Sequence, residues 1–314
     1  VRARIDVLSE LPGEWAERVR RWAELNRLHR IELDDGLSAP DANDEYLLYQ
    51  SLVGAWPADA DAIGGLDWFA ARVKQYMSKA THEAKEYTSW INPNPEYDAA
   101  VQEFVGRVLD AGRSAEFLTD LGDFARRVAR FGAVNSLAQA LVRCTAPGVP
   151  DTYQGTELLD LSLVDPDNRR PVDYVLRETL LRGLDRPAPD DGQAKLFVVS
   201  HALRLRRAVP DLFRAGEYMP VEAVGAKAAH VFAFARRSAG HAVLTVVPRL
   251  VVGLLGGADR PPLGAEVWGD TRLKLSDGEM WLNHLSGERL TVSGAGLAVG
   301  QVLGHFPVAL LERQ

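Results

Sequence analysis

The spacing of apolar residues changes part-way along this chain, and that change restricts it to a fold with a helical part and a β part. From 14 to 31, Trp15, Val19, Trp22, Leu25 and Leu28 recur at three- and four-residue intervals, the period of one helix face. Pro12 and Gly13 separate this helix from an opening one in which Val1, Ile5 and Leu8 share a face. After a loop at 34–43, Asn43 fits the N-cap of a helix over 44–54 that stops before Pro57. A long helix over 66–87 follows, with Leu66, Phe69, Val73, Tyr76 and Ala80 inward. Asn92-Pro93-Asn94-Pro95 breaks the chain before helices over 96–110 and 114–130. Further helices are expected near 172–184 and over 194–207, joined by a charged, Pro-rich linker from Asp185 to Asp191. Pro210 ends the last of them.

Beyond Phe213 the segments shorten. His230–Arg236 is a strand, Ser238-Ala239-Gly240 a turn, and Ala242–Val247 its partner, with Gly and Pro punctuation continuing to a last segment at Phe306–Leu311. This predicts an antiparallel β domain of roughly 100 residues.

Composition narrows the function classes. At 314 residues the chain can build two cores, and a net charge of −7 argues against nucleic-acid binding. No apolar run approaches the ~20 residues of a membrane span, and the opening residues lack a signal-peptide pattern. Cys144 is the only cysteine and fits a small core residue, so a reducing, cytoplasmic setting is expected. The seven histidines show no zinc-ligand spacing. The chain opens on Val1, inside an amphipathic helix, which points to a longer parent protein.

Two stretches concentrate polar and aromatic groups. In 147–173, Pro and Gly turns surround amide, carboxylate, guanidinium and phenol groups, the mixture that hydrogen-bonds sugar hydroxyls and stacks on sugar faces. Thr152–Gln154 can form a short buried strand with Gly155-Thr156-Glu157 turning at its end. A turn at Asp167-Asn168 would project Asp165 and Arg169 to one side, giving an acceptor and a donor for vicinal hydroxyls, or a clamp that only braces the loop. In 79–100, Lys79, Glu83 and Glu86, and separately Lys85, Thr88 and Ser89, have the spacing of ordinary solvent-facing helix pairs. Trp90, beside Asn92 and Asn94, suits either a pyranose platform or interdomain packing. Glu157 and Asp165 are two of the carboxylates of the polar loop, but retaining glycosidic chemistry needs two carboxylates ~5 Å apart, and nothing in their spacing fixes that. No catalytic residue is assigned.

VRARIDVLSE at 1–10, KATHEAKEYTSWINPNPEYDAA at 79–100, PGVPDTYQGTELLDLSLVDPDNRRPVD at 147–173 and FPVALLER at 306–313 resemble the maltooligosyl trehalose synthase family of the α-amylase superfamily. The resemblance runs over essentially the whole chain. It implies an α/β plus β fold, the C-terminal part of a (β/α)8 barrel with a helical insertion, followed by an antiparallel β-sandwich. The corresponding segments are late-barrel helices at 1–33, the insertion at 34–130, last barrel strand, sugar loop and final helices at 131–210, and the β domain at 211–314. The superfamily's G-x-P-x-x-Y-x-G-x-E pattern falls on Gly148, Pro150, Tyr153, Gly155 and Glu157, which places Tyr153 and Gln154 at the base of a sugar cleft.

By the same resemblance, substrate would meet Lys79, Lys85, Trp90, Asn92, Tyr153, Gln154, Glu157, Asp165, Asn168 and Arg169. The implied activity is intramolecular transglycosylation of a maltooligosaccharide, α-1,4 to α,α-1,1. The family's three catalytic carboxylic residues lie upstream of the equivalent of Val1, so the chain is expected to be inactive alone and to partner the N-terminal part of the enzyme, covalently or docked. No metal or organic cofactor, nucleic acid or membrane is implied. Two other readings are a fragment of another α-amylase-superfamily glucanotransferase or hydrolase, and a non-catalytic glucan-binding module.

Overall fold

A computed structural model describes all residues except 35, 59–65, 186, 188–190 and 239. The expected Asp185–Asp191 linker and the turn residue Ala239 therefore fall partly or wholly outside the described residues. The chain divides into two compact units, one of Val1–Ala129 with Leu161–Pro171, the other of Arg130–Asp160 with Val172–Gln314.

The first unit is helical. A short opening helix, Arg2–Ile5, tightens into a 3-10 turn over Asp6–Glu10 that buries Val7 and Leu8. Helix α1 (Pro12–Leu25) carries Pro at its first turn, where the missing N–H is no loss. It ends earlier than its periodicity predicts, because Asn26 leaves the helix and donates its side-chain amide to Tyr49 Oη at 3.0 Å. Leu28, expected inside, is 80% exposed in consequence. Helix α2 (Ala42–Ala55) is capped by Asp41 rather than Asn43; the Asp41 carboxylate accepts the Asp44 amide at 2.8 Å. Fully buried Trp22 centres this core, with ring centroids of Trp15, Tyr49, Phe117 and Phe124 within 5.5–6.0 Å. Its indole N–H donates to Asp120 at 2.6 Å, which satisfies the polar end.

Helix α3 (Asp67–Ala84) packs along α4 (Pro95–Val108), burying Phe69, Val73 and Met77 from one and Val101, Phe104 and Val108 from the other. α3 stops three residues short of the expected end. Lys85 takes a left-handed conformation (φ 59°), and its amide donates to the Thr81 carbonyl at 3.2 Å, terminating the helix. Asn94 caps α4 through the Tyr97 amide, 3.1 Å, with Pro95 at its first turn.

Helix α5 (Ala115–Thr145) is far longer than the expected 114–130. Phe131, Val134, Leu137, Leu141 and Cys144 continue its buried stripe through Gly132, with no Pro to break it, so the helical period runs on. Cys144 is buried, as expected, and burial pushes its thiol pKa up. No strand forms among the described residues between 40 and 216, and the strand expected over Thr152–Gln154 is irregular backbone. A strand exists only while neighbouring strands satisfy its N–H and C=O groups, and none lies beside this segment.

In the second unit, helices α6 (Tyr174–Arg182) and α7 (Ala194–Ala208) precede a short helix, Pro210–Ala215, that Pro210 initiates instead of merely ending the one before. The β part is antiparallel, as expected. A six-stranded sheet is built from β1 (Glu217–Pro220), β2 (Val231–Ser238), β3 (His241–Pro248), β4 (Met280–Asn283), β5 (Arg289–Thr291) and β6 (Ala309–Arg313), in the order β1-β2-β3-β6-β4-β5. Three two-residue strands, Leu297–Ala298, Arg272–Leu273 and Ala223–Val224, make a second sheet. All residues of β3 after His241 are buried, and Val243 and Val247 pack in one cluster with Phe197 of α7, Leu141 and Phe306. Trp268 and Trp281 are fully buried in this part.

Candidate functional site

Arg72 and Lys79 are seven residues apart on α3, two helical turns, and so share a face. The 3-10 turn Asp167–Arg169 is pinned to that face. Arg72 donates Nε to Asp167 Oδ1 and Nη2 to Oδ2, both at 2.9 Å, and Nη2 also reaches the Leu161 carbonyl at 2.9 Å. The Leu163 amide donates to Asp167 Oδ2 at 2.7 Å. The two side chains are only 12% and 4% exposed, so this is a fork-to-fork pair shielded from water.

Burial alone would raise the Asp167 pKa, but the Arg72 and Leu163 hydrogen bonds and the charges of Arg72 and Arg170 outweigh it. The carboxyl is held below its ordinary value. A depressed pKa contributes stability above the unfolded value, lost as pH falls through the folded one. The first unit should therefore keep its urea midpoint down to about pH 4 and lose stability steeply below it, and Asp167→Asn should flatten that acid limb. Equal acid limbs in the two proteins would remove Asp167 from the account.

With Asp167 fixed, Asp165 is carried over the next turns of α3. Its Oδ2 lies 3.5 Å from Lys79 Nζ, and its Oδ1 pairs with Arg169 Nε. Lys79 is also 3.7 Å from Glu83. Lys79, Gln75, Glu83, Trp90 and Asp165 line an open groove of about 630 Å³. Trp90 is 63% exposed, and its ring lies against that of His82, centroids 4.3 Å apart at 27°. One indole face is thus supported and the groove side is open. The loop beneath it is braced: Ser89 Oγ accepts the Asn92 amide at 2.9 Å, and Thr88 Oγ1 accepts the Asn94 amide at 3.0 Å. The pattern of alternating donors and acceptors beside an aromatic face is one that a sugar ring can occupy.

The expected site residues thus fall into two groups. Lys79, Trp90, Asp165 and Arg169 come together in the first unit. Lys85 is exposed at the α3 terminus, Asn92 turns the Trp90 loop, and Asn168 sits in the 3-10 turn with its Oδ1 buried and unpartnered. Tyr153, Gln154 and Glu157 belong to the second unit. There Tyr153 is 48% exposed and Gln154 is exposed. Glu157 accepts from Arg177 Nε at 3.2 Å, while Arg177 Nη2 donates to the Gly155 carbonyl at 2.7 Å. That geometry supports bracing. Gly155 itself has φ 87°, and a Cβ there would stand 3.1 Å from Val172, so only glycine fits this turn. Arg72, Asp167 and Arg177 carry no local signal, since each partner pair is joined only by the fold.

No family model matches the chain. A Mycobacterium tuberculosis protein bearing the name of a maltooligosyl trehalose synthase is 38% identical over 313 residues, a match taking in 100% of this chain and 36% of the relative. The chain is homologous, end to end, to part of a maltooligosyl trehalose synthase. The solved maltooligosyltrehalose synthase of Arthrobacter ramosus matches at 35% identity with a TM-score of 0.79, covering 100% of this chain and 36% of that one. A Sulfolobus tokodaii structure described as a hypothetical maltooligosyl trehalose synthase matches at 25% identity with a TM-score of 0.67, covering 99% and 36%. The chain spans about a third of the length of these relatives. The family resemblance read from the four sequence segments is borne out.

Proposed function

We propose that this chain is the C-terminal part of an enzyme that converts maltooligosaccharides to maltooligosyl trehalose, and that the α3 groove holds part of the sugar. The observation that carries the reading is the end-to-end match to a third of the synthases, with nothing of the chain left over. On this reading 1–33 and 131–210 are late-barrel segments, 34–130 the helical insertion and 211–314 the C-terminal β domain. The enzyme would be α-amylase-like, and the carboxylates that break and remake the glycosidic bond would lie in the N-terminal part.

The chemistry imposes a physical demand. Breaking an α-1,4 bond and remaking it as α,α-1,1 within one molecule requires the released glucose to be held and reoriented while water is kept out. Trp90 would support a ring face, and Lys79 with the Asp165–Arg169 pair would donate to and accept from its hydroxyls. Lys85, Asn92 and Asn168 would hold the loops of this groove, while in the second unit Tyr153 and Gln154 would meet sugar on a loop that Glu157 braces.

The test is maltohexaose incubated with this chain alone and with the chain plus the N-terminal part, following loss of reducing ends and the new linkage by NMR. An α,α-1,1 signal only in the mixture is expected. Reducing ends lost by the chain alone would place catalytic carboxylates within 1–314 and overturn the reading. In the complete enzyme, Trp90→Ala should raise KM about tenfold, the worth of one lost stacking contact, with a smaller change in kcat. An unchanged KM would return Trp90 to a packing role.

A further inference from the structure

Arg143 lies in the last turn of α5, within the second unit, and two of its donors have nothing to meet. Nε and Nη2 are shielded from water, and neither makes a hydrogen bond. These nitrogens form one edge of the guanidinium, the edge that takes both oxygens of a carboxylate side-on. Arg72 shows the filled form, with Nε and Nη2 each 2.9 Å from an oxygen of Asp167. Arg143 does hydrogen-bond to the Cys144 sulfur, a weak acceptor, and the negative end of α5 answers part of its charge. Neither fills the fork, and no carboxylate fills it among the described residues. Lys195 on α7 adds a second cation that feels the Arg143 charge, and its ammonium donates to the Leu158 carbonyl at a long 3.5 Å. Glu157 and Asp160 act on Lys195 in the opposite sense, but Glu157 accepts from Arg177. A shielded fork of this kind costs free energy until an acceptor arrives.

We propose that the Arg143 fork, with Lys195 beside it, receives the carboxylate of an aspartate or glutamate carried by the N-terminal part of the enzyme. The inference rests on the reading of this chain as the C-terminal part, and names the chemistry of one contact that joins the two. Three observations favour this occupant over a free anion. The match takes in 36% of the relative, so most of that protein lies outside it. The same unit offers apolar surface for a large partner to cover: α6 buries none of its residues, and Tyr174, Val175 and Leu176 are 59%, 76% and 46% exposed. The segment leaving α5 beside Arg143 is irregular backbone through Asp160. A docking surface can shift such a segment and reach the fork, whereas a small ion brings no contact area to drive the movement.

Arg143→Met tests this in two settings. In the chain alone the urea midpoint should stay level or rise, because the variant removes an unanswered cation. In the complete enzyme the same change should lower the midpoint. The N-terminal part supplied separately should bind the Arg143→Met chain about thirtyfold more weakly than the wild-type chain. Arg143→Lys keeps the charge without the fork and should weaken binding about tenfold. Equal affinity of the wild-type and Arg143→Met chains overturns the proposal. So does a midpoint that falls as far in the chain alone as in the complete enzyme, which would make Arg143 a brace within this chain. Inorganic phosphate probes the other occupant: if it raises the midpoint of the wild-type chain but not of Arg143→Met, the fork belongs to a free anion and the proposal falls. A complete enzyme that makes no α,α-1,1 linkage sinks the functional reading alone, since the Arg143→Met comparison does not depend on activity.

Discussion

Replacing Arg236 by Met should destabilise the second unit by about 3 kcal/mol or more, although the residue touches no carboxylate among the described residues. Arg236 sits mid-strand in β2, 2% exposed. Its guanidinium donates to the carbonyls of Thr145 at 3.4 Å, Leu212 at 3.3 Å, Phe213 at 3.1 Å and Gly216 at 2.8 Å. Two of these, Leu212 and Phe213, lie in the Pro210–Ala215 helix and Gly216 follows it, so the cation sits at the negative end of a helix, where the Leu212 carbonyl also accepts the Gly216 amide at 2.9 Å. Burial, with a smaller push from Arg206, lowers the Arg236 pKa. A thioether of similar volume would fill the space but donate nothing, so the Phe213 and Gly216 carbonyls would lose this donor. Urea unfolding combined with hydrogen exchange at β3 amides measures the effect. A loss under about 1 kcal/mol would mean that water takes over the carbonyls, and that the cation is incidental.

The second large effect concerns the groove. Asp167→Asn keeps the shape of the side chain but removes the charge that answers Arg72, leaving a shielded guanidinium without its counter-ion. Breaking one side of such a pair costs about 3 kcal/mol or more. The consequence reaches beyond stability, because Asp167 is what holds the 161–171 segment on α3 and so places Asp165 beside Lys79. Sugar affinity should therefore drop together with the first unit's urea midpoint. Arg72→Met combined with Asp167→Leu should recover much of the stability, since an apolar pair of like volume suits the same pocket. If the double variant is no better than the worse single one, the pair is not an energetic unit.

What could be read from sequence was what local spacing encodes. The α3 and α4 helices were legible because Phe69, Val73, Val101, Phe104 and Val108 mark one face each, and the Asn94-Pro95 start of α4 is a local signal. The β2–β3 hairpin was legible from its two short apolar runs. The full extent of α5 was written in the sequence too, in Phe131, Val134, Leu137 and Leu141, which carry on the period of Phe117, Leu121, Phe124 and Val128. Thr152–Gln154 failed for a different reason. Its residues suit a strand, and a strand is a property of the neighbours as much as of the segment.

The groove divides along the same line. Trp90, Asp165, Arg169 and Lys79 stood out by residue type within polar stretches, and the fold brings them together. Arg72 and Asp167 are separated by 95 positions, so nothing near either predicts the other.

The position of β6 has a consequence for how the second unit comes into being. Residues 309–313 lie between β3 and β4, in the middle of the large sheet. During synthesis β1, β2 and β3 leave the ribosome early and can join as neighbours, but the outer edge of β3 must then stand open until a segment made much later arrives to cover it. For that interval a nearly all-apolar strand presents unpaired N–H and C=O groups to whatever else is nascent in the cell. Released chains that stop before 309 should accordingly be the ones that chaperones retain and that associate with one another, while released chains that include 309–313 should not.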